Sequence, residues 1–293
     1  MVIKESPGRK VFNLFNILLM VGLMIVTVYP ILYIIFASVS DSTLLLAHRG
    51  LLLKPQGINF ATYSMVFDNP MILRGYLNTL FIVITGTAVN LLMTSLGAYV
   101  LSRKNLMFQN LFLFLVMFTM FFGGGLIPTY LNIKSLGMLD TYWALILPGA
   151  VATMNLIIMR TSFLSIPESL EESATIDGAS HWTILFRIVL PLSLPVVAVM
   201  ILYYGVGHWN AWFNASIYLK EREKFPLQVI LREILLQNDT ESMTQGVSAM
   251  DHRNVSETVK YAVIVVATLP VLCIYPFLQK YFVKGVMIGA VKG

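Results

Sequence analysis

About six long apolar runs alternate with polar segments along the chain. They are Phe12–Phe36, Leu77–Leu101, Leu106–Phe122, Tyr142–Met159, Ile188–Gly207 and Tyr261–Leu278. A bilayer core needs about 20 apolar residues per helix, and none of these runs contains Asp, Glu, Lys, Arg or His. The pattern therefore predicts an all-α membrane protein with about six transmembrane helices.

The polar segments predict how the chain is organised across the membrane. Lysine and arginine are as frequent in one set of loops as in the other, but one set is only about half as long, so its higher basic density marks the cytoplasmic side. Both termini then lie inside. The prediction is a cytoplasmic N-terminus over 1–11, a single transmembrane domain over 12–283 with its core at 77–283, and a cytoplasmic tail over 284–293. The one sizeable inner loop spans 160–187. The first run is too long for a cleaved signal peptide, so it is predicted to be a retained span.

Composition narrows the chemistry that this chain can perform. The sequence is 57% hydrophobic and 12% charged, with a net charge of +5. No basic stripe or nucleic-acid motif accompanies that charge, which excludes a nucleic-acid partner. Cys273 is the single cysteine, so an intrachain disulfide and a cysteine metal cluster are excluded, and no metal site is predicted. Spans without charge argue against coupling to protons or sodium. A GxxxxGK[ST] phosphate loop is also absent, so a transporter of this kind needs a partner that binds ATP.

The inner loop predicts a short helix, a sharp turn and a second helix. Ser165 and Glu168 fit a capping box, with Pro167 in the first turn. A glycine at 178 is suited to a left-handed turn, after which Ser180 can cap a helix that runs to the prolines at 191 and 195. The first helix has an apolar face and an acidic face. The apolar face comprises Ile166, Leu170 and Ala174, and the acidic face comprises Glu168, Glu171 and Glu172.

This loop resembles the EAA signature of permeases from binding-protein-dependent ABC importers, written E-A-A-x3-G-x9-I-x-L-P. Every offset agrees, and Ser173 in place of the second residue is the only departure. The matching residues are Glu172, Ser173, Ala174, Gly178, Ile188, Leu190 and Pro191. The resemblance implies a type I ABC importer permease fold, in which the loop couples to a separate ATPase. With the flanking acids, the implied coupling set is Glu168, Glu171, Glu172, Ser173, Ala174, Asp177, Gly178, Ile188, Leu190 and Pro191.

The resemblance covers nearly the whole chain and extends to the carbohydrate branch of the family. The tail Ala290, Val291, Lys292 and Gly293 is similar to that of the smaller permeases of maltose importers, which enters the ATPase interface. A frayed basic tail is the alternative. The stretches 121–141 and 203–219 resemble importers of larger or acidic sugars, in particular the smaller permeases of alginate importers. The outer loop Leu236–Glu257 is polar and long, and in maltose importers the corresponding loop reaches the binding protein. A plain spacer is the alternative.

The resemblance implies a set of partners and a location. The partners are a second permease subunit in a heterodimer, two ATPase subunits that bind ATP and Mg²⁺, an extracytoplasmic solute-binding protein and an oligosaccharide. The chain itself is expected to hold no cofactor and to catalyse no reaction, and its location is the bacterial cytoplasmic membrane, which it crosses several times.

Candidate residues for the sugar path combine aromatic rings with neutral amides. They are Asn90, Asn155, Tyr203, Tyr204 and Trp209. Aromatic residues also form belts at any membrane interface, and amides in spans often join helices to each other. Three other classes remain open at this point: a permease for peptide-like or lipoprotein-linked substrates, a non-transporting scaffold and an intramembrane enzyme. An enzyme would need a polar catalytic pair within the spans, where the sequence shows only isolated amides.

Overall fold

The computed structural model describes residues 6–237, 258–274 and 276. Within these ranges the chain is helical apart from its connections and one isolated bridge between Ser40 and Ile58. The helices are α1 (Pro7–Ser38), α2 (Ser42–Ala47), α3 (Ala61–Asp68), α4 (Pro70–Ser102), α5 (Gln109–Phe121), α6 (Leu126–Ser135), α7 (Trp143–Ile146), α8 (Thr153–Leu164), α9 (Glu168–Ile176), α10 (His181–Leu192), α11 (Leu194–Trp209), α12 (Phe213–Tyr218), α13 (Leu227–Gln237) and α14 (Thr258–Ile274). A 3₁₀ turn, Arg222–Lys224, precedes α13.

The chain divides into two compact units. The first comprises Met1–Pro70 with Leu231–Thr268, and its main element is α1. Ser6 caps this helix by accepting a hydrogen bond from the Arg9 backbone N–H at 3.4 Å. The most apolar window of α1 has a mean hydropathy of 2.5 and no buried residue. A helix that is apolar on every side is suited to a lipid environment or to a partner subunit.

The second unit comprises Met71–Ile230 with Leu269–Gly293, and α4 is its longest helix. At 33 residues and about 1.5 Å per residue, α4 is longer than the hydrocarbon core is thick. Its second half packs against α8, α10 and α11. The buried cluster is formed by Ala98, Tyr99, Leu101, Leu156, Met159, Phe163, Ile184, Leu185, Val189, Met200 and Tyr204.

The apolar runs form fewer straight spans than the sequence predicts. The first two runs lie within α1 and α4, which are long and apolar enough to cross a bilayer. Two bent helix pairs bring the number of candidate spans in the described residues to four if each pair counts as one. The last run lies partly in α14, which the structure describes to Ile274. The predicted six spans and the cytoplasmic location of both termini therefore stay predictions.

Glycine and proline explain where the runs are interrupted. The third run ends at Gly123–Gly125, where α5 and α6 meet at a bend of 112°. In the fourth run Pro148 and Gly149 lie in an irregular segment, 147–152, between α7 and α8. The fifth run bends by 87° between α10 and α11, where Pro195 in the first turn of α11 has no N–H to continue the hydrogen-bond ladder of α10.

A salt-bridged turn fixes the segment before α7 to the segment before α13. Asp140 has a left-handed φ of 60°, and its carboxylate accepts hydrogen bonds from Lys224 Nζ at 2.8 Å and from the Lys220 and Glu221 backbone N–H groups at 2.9 and 3.1 Å. The bond from Lys224, followed by the backbone bonds, holds the pKa of Asp140 below its ordinary value. Because the folded-state pKa is depressed, this contribution to stability is present above the ordinary pKa and is lost as the pH falls from that value through the folded-state pKa.

Candidate functional site

The helix of the inner loop, α9, begins differently from the prediction. It starts at Glu168 after Pro167, and no side chain caps its N-terminus. Ser165 instead ends α8, and its hydroxyl donates to the Ser162 carbonyl at 2.7 Å. The predicted capping box is therefore wrong, because the same serine satisfies the end of the preceding helix. Glu168 and Glu171 in the first turn still favour the helix electrostatically.

The end of α9 is a Schellman turn centred on Gly178. The Ala179 N–H donates to the Ala174 carbonyl at 2.9 Å, and the Gly178 N–H donates to the Thr175 carbonyl at 3.0 Å. Gly178 has a φ of +80°, a conformation that costs a residue with a Cβ atom about 1–2 kcal/mol. The glycine turn predicted from the sequence is confirmed.

After this turn α10 begins at the predicted cap. Ser180 accepts a hydrogen bond from the Thr183 backbone N–H at 3.3 Å. The helix then passes through a π turn, Leu185–Val189. Ile188 and Leu190 pack at the edge of the buried cluster, and Pro191 lies just before the bend that separates α10 from α11. The last three fixed positions of the signature therefore join the loop to the membrane-spanning part of the unit.

The apolar face of α9 anchors the loop to the same cluster. Ile166, Ala174 and Ala179 pack against it, whereas Leu170 is 45% exposed. The opposite face of α9 is open. The exposed residues that share this face are Ser169, Glu172, Ser173 and Ile176. Ile176, at the end of this face, is 86% exposed.

The three acidic residues of α9 differ in their partners within the chain. Glu171 forms a salt bridge with Arg103, which lies in the turn between α4 and α5. Glu168 forms a salt bridge of 2.8 Å with Lys104 in the same turn. Glu172 is exposed and forms no ion pair within the part of the chain that the structure describes.

The turn that holds Glu171 also closes the end of α4. The Leu101 carbonyl accepts hydrogen bonds from Arg160 Nε at 2.7 Å and from Gln109 Nε2 at 2.8 Å. Such bonds satisfy carbonyls that a helix end leaves without a partner. Between this turn and α9 lies an open cavity of about 1110 Å³, which Arg103, Lys104, Glu171, Glu172 and His181 help to line.

A network of polar contacts lies within the second unit at the middle of α4. The Asn90 side-chain amide donates to the Gly149 and Ala150 carbonyls at 2.6 and 3.0 Å, and its oxygen lies 2.6 Å from His208 Nε2. These bonds tie α4 to the irregular segment 147–152 and to α11. Gly86 provides the space for the His208 ring, since a Cβ atom there would lie 2.6 Å from Nε2.

The proposed sugar-path residues therefore differ in their surroundings. Asn90 is fully buried and uses its donors within the chain, so its geometry is that of a helix-to-helix contact. Tyr204 is also buried, and its hydroxyl lies 2.7 Å from Thr94 Oγ1 and accepts from the Ala152 N–H at 3.2 Å. Trp209 is buried against the Tyr76 ring at 6.1 Å. Asn155 is buried, and only Tyr203 is substantially exposed, at 48%.

Two contacts of this unit are not predicted by the sequence analysis. Arg103 pairs with Glu171, and the basic pair at 103 and 104 together with three acids in the next inner loop is a usable signal for it. His208 pairs with Asn90, and that contact depends on how α4 and α11 meet. No cluster of three or more potential metal ligands occurs in the described ranges. The tail Ala290–Gly293 and residues 238–257 of the outer loop lie outside the described residues.

Comparison with known proteins agrees with this architecture. Residues 82–288 match the family described as binding-protein-dependent transport system inner membrane component. The chain is 46% identical over 289 residues to Protein LplC of Bacillus subtilis (strain 168), an alignment that covers 99% of this chain and 97% of that protein. It is 44% identical over 285 residues to the polygalacturonan/rhamnogalacturonan transport system permease protein YtcP of the same organism, with coverages of 96% and 97%.

A solved structure extends the comparison to three dimensions. A crystal structure of a bacterial ABC transporter involved in the import of the acidic polysaccharide alginate contains a chain that is 32% identical to this one. The two superpose with a TM-score of 0.87, over 96% of this chain and 100% of that one.

Proposed function

The chain belongs to the family of inner membrane components of binding-protein-dependent transport systems, and we propose that it is the permease subunit of an ATP-driven importer of oligosaccharides, acidic ones among them. The resemblance over nearly its full length to a permease for polygalacturonan and rhamnogalacturonan carries this proposal. The likeness to a chain of an alginate importer points to the same class of substrate. Permeases for peptide-like or lipoprotein-linked solutes and a non-transporting scaffold are not favoured.

Coupling to an ATPase is proposed for the open face of α9. Glu172 and Ile176 are exposed there, so a partner can form a charge-assisted contact and an apolar contact on one helix face. Gly178 and the anchors at Ala174 and Ala179 hold this face in place. The ATPase would bind ATP and Mg²⁺ and supply the energy, since the chain carries no phosphate loop.

The exposed apolar surface of the chain supports a place within a larger membrane assembly. Helices α1 and α5 present large apolar side chains, Phe112 and Phe114 among them, to the outside of the isolated chain. Lipid or a second permease would cover these surfaces in a multi-pass inner-membrane complex. A solute-binding protein and two ATPase subunits complete the proposed importer.

The sugar path is proposed to use Tyr203 rather than Asn90. Tyr203 is the exposed member of the candidate set, and an aromatic ring offers a stacking surface to a sugar. The other four candidates are buried within the chain: Asn90, Asn155, Tyr204 and Trp209. Their proposed role is to support the residues that line the path.

The function is tested by uptake in the native host. Cells that lack this chain are expected to lose uptake of labelled oligogalacturonides, or of alginate oligosaccharides, while retaining uptake of maltopentaose through other systems. Re-expression of the chain should restore the lost uptake. Unchanged uptake of all three probes, together with failure of the tagged chain to copurify an ATPase and a second permease, would favour a scaffold.

Truncation tests the proposed role of the tail. If Ala290–Gly293 enters the ATPase interface, its removal should lower ATP hydrolysis by the purified complex, because contacts at a catalytic interface are lost while no apolar run is shortened. The amount of complex extracted from the membrane is the control. Full hydrolysis after truncation would indicate that the tail is a frayed basic end that does not enter the ATPase interface.

A further inference from the structure

The acidic residues of α9 differ in whether they have a partner within the chain. This difference supports an inference that rests on the function proposed above. We propose that Arg103 and Glu171 form an intrachain clamp that positions the coupling helix α9 on the end of α4. Arg103 is then a positioning residue for coupling: displacement of α9 by the ATPase is passed to the longest helix of the second unit. Glu171 serves this clamp and not the partner.

Burial distinguishes the clamp from an ordinary surface ion pair. The side chains of Arg103 and Glu171 are 24% and 14% exposed, whereas those of Lys104 and Glu168 in the neighbouring pair are 73% and 57% exposed. Exposed pairs contribute little, because water and salt screen them. Removal of one member of a largely buried pair leaves an uncompensated charge, which is costly. The inner pair is therefore the one that can hold α9.

Arg103 is itself held rigidly at the end of α4. Its Nε donates to the Tyr99 carbonyl at 3.3 Å, and its Nη2 donates to Ser102 Oγ at 2.9 Å. The guanidinium carbon lies 4.5 Å from the centre of the Tyr99 ring, within the range of a cation–π contact. A guanidinium fixed on one side by the helix and bound on the other by a carboxylate is suited to transmit a displacement.

The same tyrosine extends the connection to the second helix of the loop. The Tyr99 hydroxyl lies 3.1 Å from His181 Nδ1, at the first residue of α10. Both helices of the coupling loop thus contact the last turn of α4 through polar side chains. Without Glu171, the remaining anchors of α9 that the structure describes are the exposed Lys104–Glu168 pair and the apolar contacts of Ile166 and Ala174. A helix held in this way can pivot.

Charge reversal and its double reversal test the clamp in the assembled importer. An affinity-tagged chain is extracted with its partners from the native membrane as wild type, Arg103→Glu, Glu171→Arg and the double variant. Copurified ATPase and basal hydrolysis are measured on the complex, and oligogalacturonide uptake is measured in cells. We expect each single variant to retain the ATPase through Glu172 but to lose about tenfold in uptake relative to hydrolysis, the effect of one charge-assisted bond. The double variant should regain most of the lost uptake.

Two further variants keep the result interpretable. Lys104→Glu is the matched control, since it reverses a basic charge in the same turn in an exposed pair, and its loss of uptake relative to hydrolysis should be much smaller than that of Arg103→Glu. Glu171→Gln removes the charge but keeps the shape. It replaces the reversals if they fail to accumulate in the membrane, and reduced uptake relative to hydrolysis in this variant would again support the clamp.

The possible outcomes separate this inference from the proposed function. Wild-type coupling in the single reversals or in Glu171→Gln would overturn the clamp, as would a double reversal no better than the singles. Loss of the ATPase from Glu171→Arg would place Glu171 in the partner interface and overturn the clamp as well. A wild-type chain that copurifies no ATPase would overturn the proposed function, and the clamp with it.

Discussion

Replacement of Glu172 with lysine is expected to abolish substrate uptake while the chain still accumulates in the membrane. Glu172 is exposed on the open face of α9, without an ion-pair partner in the described residues, so the folded chain loses no contact of its own. The resemblance to the EAA loop implies a basic cleft on the ATPase opposite this position. A lysine there would replace an attraction by a repulsion, and a like-charge contact in an interface costs several kcal/mol.

The measurement is the amount of ATPase that copurifies with the tagged chain, together with uptake. Glu168→Lys is the matched control: it makes the same change on the same helix, but at a residue whose side chain pairs with Lys104 in an exposed bridge. An exposed pair contributes about 0–1 kcal/mol, so most uptake should remain. Wild-type uptake in Glu172→Lys, or equal losses in both variants, would contradict a specific contact at Glu172.

Substitution of Gly86 by alanine is expected to destabilise the membrane domain strongly. The added Cβ atom would lie 2.6 Å from His208 Nε2 and 2.8 Å from Cε1. Because the ring is rigid, it can relieve this contact only by moving as a whole. The ring would have to leave Asn90, whose amide orders the irregular segment 147–152. Overpacking costs about 1–3 kcal/mol, and a buried polar group left unpaired adds about 1–3 kcal/mol.

A second glycine of α4 provides the control. At Gly97 an added Cβ would meet Leu156 Cδ1 at 3.0 Å, the tip of a flexible side chain that can rotate away. Gly97→Ala should therefore keep nearly wild-type thermal stability in detergent, whereas Gly86→Ala should lower the melting temperature and the yield. Equal stability of the two variants would show that the contact between His208 and Asn90 does not support this part of the fold.

The loop 160–187 shows which local features follow from the sequence and which do not. The turn at Gly178 and the cap at Ser180 were predicted correctly, since each depends on bonds between residues at most five positions apart. The capping box at Ser165 was wrong for a related reason. A serine between two helices can satisfy either of them, and local sequence does not decide which.

Distance along the chain explains the features that sequence reasoning missed. Asn90 and His208 are 118 positions apart, and Lys104 and Glu168 are 64 apart. Whether such side chains meet depends on the register and crossing of packed helices. A helical repeat shows only that Glu168, Glu171 and Glu172 lie on neighbouring faces of α9.

The sequence by itself determined the helical membrane class, the positions of the first two long apolar helices, the glycine turn at 178 and the family of this protein. The length of an apolar run and the conformational freedom of a glycine depend on neighbouring residues, the backbone and the solvent, so the sequence alone is enough to predict their effects. Only the tertiary structure decided that Glu171 is bound to Arg103 while Glu172 is exposed, and that Asn90 is bound to the irregular segment 147–152 and to His208. A polar side chain in a packed interior takes the partner that the neighbouring helices bring to it, because leaving it unpaired there is costly.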